Sequence, residues 1–454
     1  MSSRRQTVAI IGAGFSGVLA ALHLLSRPDG PNVRLIERRG AFARGAAYST
    51  YDEDHLLNVR ASNMSAFPEE PDHFVDWLAA CGEPGRKSQF VRRQQYGDYL
   101  QDMIQRAVET SPAGRFLLEP DAAVDLTREG EGWRVSMAMG RTIEADVVVL
   151  AIGNLPPGDL PGFTPEALAS PAYLSDPWRL DADRIPEQGT AVIIGSGLTM
   201  VDVALHLAKL RPDLDILALS RRGLLPRRHL GDGPAPVQWP GAEGASPLTL
   251  LRAVRRGAGT EDWRAVLDGL RPHVHALWRS WSVVQRRRFL RHARPWWDVH
   301  RHRLSPPVAQ KLDQLLGSGQ LKSAAGRIRS VDLVGDAFDV TWSPRGARES
   351  VRTEAAVVIN CAGPNADPAR SPDPLLSSLA RQGLVRPDAC RLGLDVDLDA
   401  RLIDGSGAPN PALFAVGPIT RGSLWEITSV PDIRVQAASC GRLIARELAA
   451  RPLD

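Results

Sequence analysis

Two stretches of this 454-residue chain follow one plan, and that plan constrains the fold more than any other feature. The first, "TVAIIGAGFSGVLAALHLL" from Thr7, opens with an apolar run, Val8 to Ile11. It passes through Gly12, Gly14 and Gly17, then places Phe15, Val18, Leu19, Leu22 and Leu25 at helical spacing. A second run, "VRLIE", ends in Glu37. The pattern reads strand, turn, helix, strand. Gly12 permits the tight turn, Gly14 lets the backbone approach a pyrophosphate, and Gly17 lets the helix close on the strand. The helix N-terminus then faces the phosphates. Glu37 stands 25 residues after Gly12, where a carboxylate accepts hydrogen bonds from a ribose.

The plan recurs from Thr190, where "TAVIIGSGLTMVDVALHLAKL" carries Gly195 and Gly197 and "LDILALS" supplies the next strand. "LIERRG" in the first copy becomes "ALSRRG" in the second, and Ser220 again lies 25 residues after the first glycine. The register makes this match a property of the fold and not of arginine abundance. Two positions differ. Met200 replaces Gly17, so either this helix stands farther from its strand or the unit is a degenerate structural copy. Ser220 replaces Glu37, removing a carboxylate that would repel a ribose 2′-phosphate and leaving a hydroxyl beside Arg221 and Arg222. The second copy is therefore expected to take NADPH in preference to NADH. Each copy continues into a β-meander pattern and an apolar strand ending in glycine, Gly153 or Gly363. The expected fold class is α/β, with two Rossmann-like dinucleotide-binding domains, each with a β-meander.

Bulk properties remove other classes. A net charge of +3 argues against nucleic acid as a partner. All but four of the 55 basic residues are arginine, so arginine runs carry little information. The four cysteines form no CxxC, which leaves no dithiol relay and no cysteine-ligated cluster. His300 and His302, two apart, do not share a helix face, and no metal site is expected. No apolar stretch approaches the roughly 18 residues of a membrane span, so a cytoplasmic protein without a membrane partner is expected.

The motifs "GAGFSG", "HLLNVRASNMS", "GSGLTMVD", "WWDVHRHR", "NCAGP" and "WEITSVPDIRVQ" resemble a bacterial FAD/NAD(P)-binding, two-dinucleotide-binding flavoprotein family related to flavin-containing monooxygenases. The resemblance spans almost the whole chain. It implies that residues 1–165 form the first part of an FAD-binding domain and 166–350 an NAD(P)-binding domain. A helical insertion occupies about 225–320 of that domain, and 351–454 return to complete the FAD domain. The return is visible in "ALFAVGPITRG", a strand ending at Gly417, and in the long helical pattern after it. The family's usual Gly-Asp is absent here, because Pro418 follows Gly417. The resemblance further implies that Asn58, Arg60 and Asn63 run near the flavin. Arg421, Trp425 and Glu426, just past a strand end, become candidate substrate or nicotinamide contacts. Within the insertion, Arg301 or Arg303 is a candidate for holding an anion.

FAD and NADPH together imply hydride transfer to the flavin. Without a dithiol or an iron–sulfur motif, dioxygen is the remaining common electron acceptor. The leading reading is a monooxygenase acting on a small molecule, with a purine such as urate suggested by the resemblance. A flavin reductase or dehydrogenase serving a protein or quinone is one alternative; a non-catalytic flavin-binding sensor or assembly protein is another. Sequence leaves the substrate and the oligomeric state open.

Overall fold

In the computed structural model, residues 5–50, 52–231, 233–239 and 244–450 are described. The glycine-turn units become the cores of two sheets. In the first unit, β1 (Thr7–Ile11) is buried at all five positions, as expected of a parallel strand covered on both faces. It lies between β2 (Asn32–Ile36) and β7 (Val147–Leu150), with Val8 opposite both Val33 and Val147. Beyond β2 comes β3 (Phe116–Glu119). Between β3 and β7 the chain forms the first meander, a separate antiparallel sheet of β4 (Ala123–Glu129), β5 (Gly132–Met137) and β6 (Thr142–Ala145).

The second unit adds β8 (Tyr173–Leu174), β9 (Gly189–Ile194) and β10 (Leu214–Ser220), followed by β11 (Leu321–Val334), β12 (Ala337–Pro344), β13 (Val351–Ala355) and β14 (Val357–Asn360). They form one sheet in the order β13-β12-β11-β10-β9-β14-β8. β11 serves two structures. Its first half runs parallel to β10, and its second half turns antiparallel along β12. At the hand-over sits Gly326, where a Cβ would lie 2.4 Å from the Trp342 ring. The second meander is thus fused to its dinucleotide sheet, unlike the first.

The return to the first sheet is also present. β16 (Pro409–Ala415) runs parallel to β7, and β15 (Arg401–Ile403) closes the edge antiparallel to it. The helix Val430–Ala450 packs on the helix Phe15–Leu25 so closely that a Cβ at Gly441 would lie 2.9 Å from that of His23. One expected boundary moves. β13 and β14 pair with the second sheet, so the return begins after Asn360 and not at residue 351. The reason is symmetry: β14 closes its unit against β9 as β7 does against β1. At the other junction, Leu160 and Phe163 already pack on the second unit's core, ahead of the expected break at 165.

The segment between β10 and β11 is helical, as expected. It includes Pro247–Gly257, Trp263–Leu270, Val274–Ser280, Val283–His292, Arg294–Arg301 and Pro306–Ser318. Trp278, Trp281 and Phe289 form its core and share it with Leu392 and Trp425 of the C-terminal segment. Its tryptophans are therefore mainly structural, although Trp296 remains 45% exposed.

Candidate functional site

Both glycine turns have the geometry a dinucleotide needs. Gly12 sits at φ +103°, and a Cβ there would lie 2.4 Å from the Ala151 carbonyl oxygen. Gly195 repeats this at φ +119° and 2.2 Å from the Cys361 oxygen. Ala151 and Cys361 each follow the strand that closes their unit, β7 or β14. Gly14 and Gly197 begin the helices Phe15–Leu25 and Leu198–Leu210, and neither helix start is capped by a side chain. Their first-turn N–H groups stay available to an anion. The space in front is open: nothing lies within 4 Å of a Cβ at Gly197, and only the Gly45 Cα, at 3.6 Å, at Gly14.

The third position separates the copies. A Cβ at Gly17 would lie 1.9 Å from the Gly12 oxygen. Met200, at the corresponding place, does carry a Cβ, and its fully buried side chain belongs to the second unit's core.

The ribose corners also correspond. In the first, Glu37 Oε2 accepts from the Ala13 N–H at 3.0 Å and Oε1 from the Arg39 N–H at 3.1 Å. In the second, Ala13 is replaced by Ser196, whose hydroxyl is 2.8 Å from that of Ser220 and 2.8 Å from the Leu224 oxygen. The Gly223 N–H donates to Ser220 Oγ at 2.9 Å. Ser220 therefore braces its own turn; it is not the free phosphate donor expected from sequence. Arg221 is exposed, while Arg222 donates to the Arg291 oxygen at 3.2 Å. In the first copy, by contrast, Arg38 is paired with Asp373.

Of the three loop residues, Arg60 is committed elsewhere: its guanidinium donates to the Leu230 and Gly231 oxygens at 2.6 and 2.7 Å. The Asn58 backbone carbonyl oxygen lies 3.1 Å from His229 Nε2. Burial lowers the pKa of His229 to about 4, so the ring is neutral and donates this bond. Asn63 is exposed in a short helical turn, Ala61–Asn63. These contacts bind the first unit to the start of the insertion. Sequence reading missed the segment that does cover the first glycine turn. Ala43, at φ +68°, donates its N–H to the Ala13 oxygen at 2.8 Å, and Gly45 touches Gly14. The left-handed Ala43 leaves no residue-type signal by which to find it.

Gly153 and Gly417 follow β7 and β16 at φ +71° and +82°. A Cβ at Gly417 would lie 2.2 Å from Ser16 Oγ in the first turn of the Phe15–Leu25 helix. Gln436 fastens this turn, accepting from the Gly417 N–H at 2.7 Å and lying 3.1 Å from Thr420 Oγ1. A few residues on, the strand-end candidates meet the insertion. Glu426 is buried at φ +73°, a left-handed backbone that a glutamate rarely takes. Its Oε1 accepts from Trp297 Nε1 at 2.8 Å, and its Oε2 forms an ion pair with Arg301 Nε at 3.1 Å. Burial opposes ionisation, but the Arg301 and Arg421 guanidinium groups and the Trp297 bond outweigh it, so Glu426 stays a carboxylate. Trp425 stacks on Trp278 with centroids 4.9 Å apart, and the Arg421 guanidinium lies 4.5 Å from the Trp425 ring centre. Arg303 forms a fork with Asp268, at 3.0 and 2.5 Å. Neither Arg301 nor Arg303 is thus free to hold an anion.

Sheets, paired glycine turns and uncapped helix starts define the fold of the two-dinucleotide-binding flavoproteins. Within that class, residues 9–155 match the model of the FAD-NAD(P)-binding family, and the chain carries that domain. Similar solved structures span the full length. An ornithine N-hydroxylase from Kutzneria sp. 744, with reduced FAD, NADP+ and L-ornithine, is 16% identical, with a TM-score of 0.67 over 98% of this chain and 99% of that one. L-lysine 6-monooxygenase from Pseudomonas syringae is 16% identical, with a TM-score of 0.66 and the same coverage. An FAD-bound cadaverine monooxygenase from Erwinia amylovora is 13% identical, with a TM-score of 0.66 over 100% and 97%. A search of curated protein sequences returned no match.

Proposed function

We propose that the chain is an FAD-dependent monooxygenase that oxidises NADPH and hydroxylates a small organic substrate. The observation that carries this reading is the pair of open, uncapped glycine turns in one chain, with a carboxylate at one ribose corner and none at the other. Bound FAD would accept hydride from NADPH and pass the electrons to dioxygen. The residues' part is positional. Gly12, Gly14 and Gly17 admit the FAD pyrophosphate, and Glu37 holds the ribose. Gly195 and Gly197 admit the second dinucleotide, with Arg221 and Arg222 beside its ribose. Ser220 contributes by carrying no charge and by bracing the turn that presents those arginines. The similar structures are of enzymes named for ornithine, lysine and cadaverine, which supports an amine substrate over a purine.

The test is anaerobic reduction of the FAD-loaded protein, followed by oxygen uptake with a panel of amines. NADPH should bleach the flavin at least tenfold more efficiently than NADH, about 1.4 kcal/mol of discrimination. Ser220→Glu combined with Arg221→Ala should reverse that preference. Bleaching without substrate-dependent product, coupled instead to a quinone or ferredoxin, would favour a reductase. No bleaching with either nucleotide would remove the enzyme reading.

A further inference from the structure

The cluster around Trp425 holds one more cation than anion. Arg294 pairs with Asp298 at 3.2 Å and Arg301 with Glu426 at 3.1 Å. His302 is packed beside Arg301 and Glu426, and its burial disfavours a proton, so it adds no charge at neutral pH. Arg421 is left over. Among the described residues its guanidinium has no hydrogen bond and no ion pair, and its Nε is fully buried without a partner. Trp425 Nε1–H, on the ring that Arg421 covers, is likewise buried with no acceptor. Arg421 is part-buried: Nε is sealed without a partner while the two outer nitrogens, free of hydrogen bonds, keep access to a ligand. A desolvated donor without an acceptor is costly unless a ligand completes it.

The position identifies the ligand's source. Phosphates are provided for at the two glycine turns. Arg421 instead follows β16 on the Gly417 turn, outside the carboxyl ends of the first sheet's strands, where open α/β sheets bind their ligands. The insertion covers it through Trp297, Arg301 and the Trp278 stack.

We propose that Arg421, with Trp425 Nε1–H as second donor, binds a carboxylate carried by the substrate. This deepens the monooxygenase reading and rests on it. A guanidinium fork suits a planar carboxylate, and the aromatic face beneath it keeps the fork oriented.

The experiment titrates the FAD-loaded, full-length protein with propionate and with its neutral isostere propionamide, reading the flavin difference spectrum and tryptophan fluorescence. Propionate should perturb both, and propionamide should bind at least roughly tenfold more weakly. Arg421→Met should abolish the propionate response while retaining FAD and the affinity for NADP+. Arg421→Lys, keeping the charge without the fork, should retain the response at about tenfold lower affinity. Equal binding of propionate and propionamide would overturn the proposal, as would propionate binding that survives in Arg421→Met. A loss confined to NADP+ would assign the arginine to the nucleotide and overturn it too. No turnover is read, so absence of hydroxylation leaves this result standing, and absence of propionate binding leaves the monooxygenase reading standing.

Discussion

At the scale of single residues, glycines that look alike in sequence do different work. Gly195 needs its left-handed backbone and has a carbonyl oxygen 2.2 Å from where a Cβ would go. Gly197, at φ −85°, faces open space. Gly195→Ala is therefore expected to prevent folding of the second unit, visible as loss of soluble holoprotein. Gly197→Ala should fold with stability within about 0.5 kcal/mol of wild type. Its methyl group would stand where a pyrophosphate must approach, so its KM for NADPH should rise about tenfold, a change of 1.4 kcal/mol. Thermal melts and steady-state kinetics on the same preparations separate the two. The glycines and Glu37 were legible in sequence because their spacing is set by local backbone geometry. The actual role of Ser220 was not, because it depends on Ser196, 24 residues earlier, and on the turn to Gly223.

At the scale of elements, the insertion is clasped to the C-terminal segment by a few buried polar contacts. Glu426 receives Trp297 and Arg301 from the Arg294–Arg301 helix while its own backbone is held left-handed. Removing one donor should be milder than removing the counter-charge. Trp297→Phe leaves one carboxylate oxygen without its hydrogen bond, at a cost of about 1–3 kcal/mol. Arg301→Met removes the ion-pair partner of a buried carboxylate, at about 3–5 kcal/mol. Urea denaturation should rank them in that order, and limited proteolysis should cut Arg301→Met first within the insertion. The sequence showed that this insertion is helical and rich in Trp and Arg. It could not show which of those side chains face inward, since the partners lie more than a hundred residues away; Trp297 and Glu426 are 129 apart.

At the scale of the molecule, the two dinucleotide units are joined by charge on the side of the helix Leu198–Leu210. Arg93 pairs with the buried Asp202 of that helix at 2.8 Å. Asp52 meets His206 at 2.6 Å, and Asp54 meets Lys311 at 2.5 Å. Arg93→Met strands Asp202 and should lower stability by about 3–5 kcal/mol. If this contact also sets the distance between the two sites, hydride transfer measured by stopped flow should slow more than NADPH affinity weakens. An unchanged transfer rate would restrict Arg93 to stability. The duplicated plan predicted two units; nothing local in sequence predicted the surface by which they meet.

The placement of β16 has a consequence for synthesis. The strand that completes the first sheet is translated after the whole second unit, yet it belongs beside β7, which emerges some 260 residues earlier. Until then the growing chain presents an open strand edge of four buried apolar residues, Val147–Leu150. The second unit, whose strands all lie between residues 173 and 360, can close first on the ribosome. The first unit is thus begun before the second and finished after it, and its glycine turn gains Gly417 and Gln436 only once β16 and the helix Val430–Ala450 have been made.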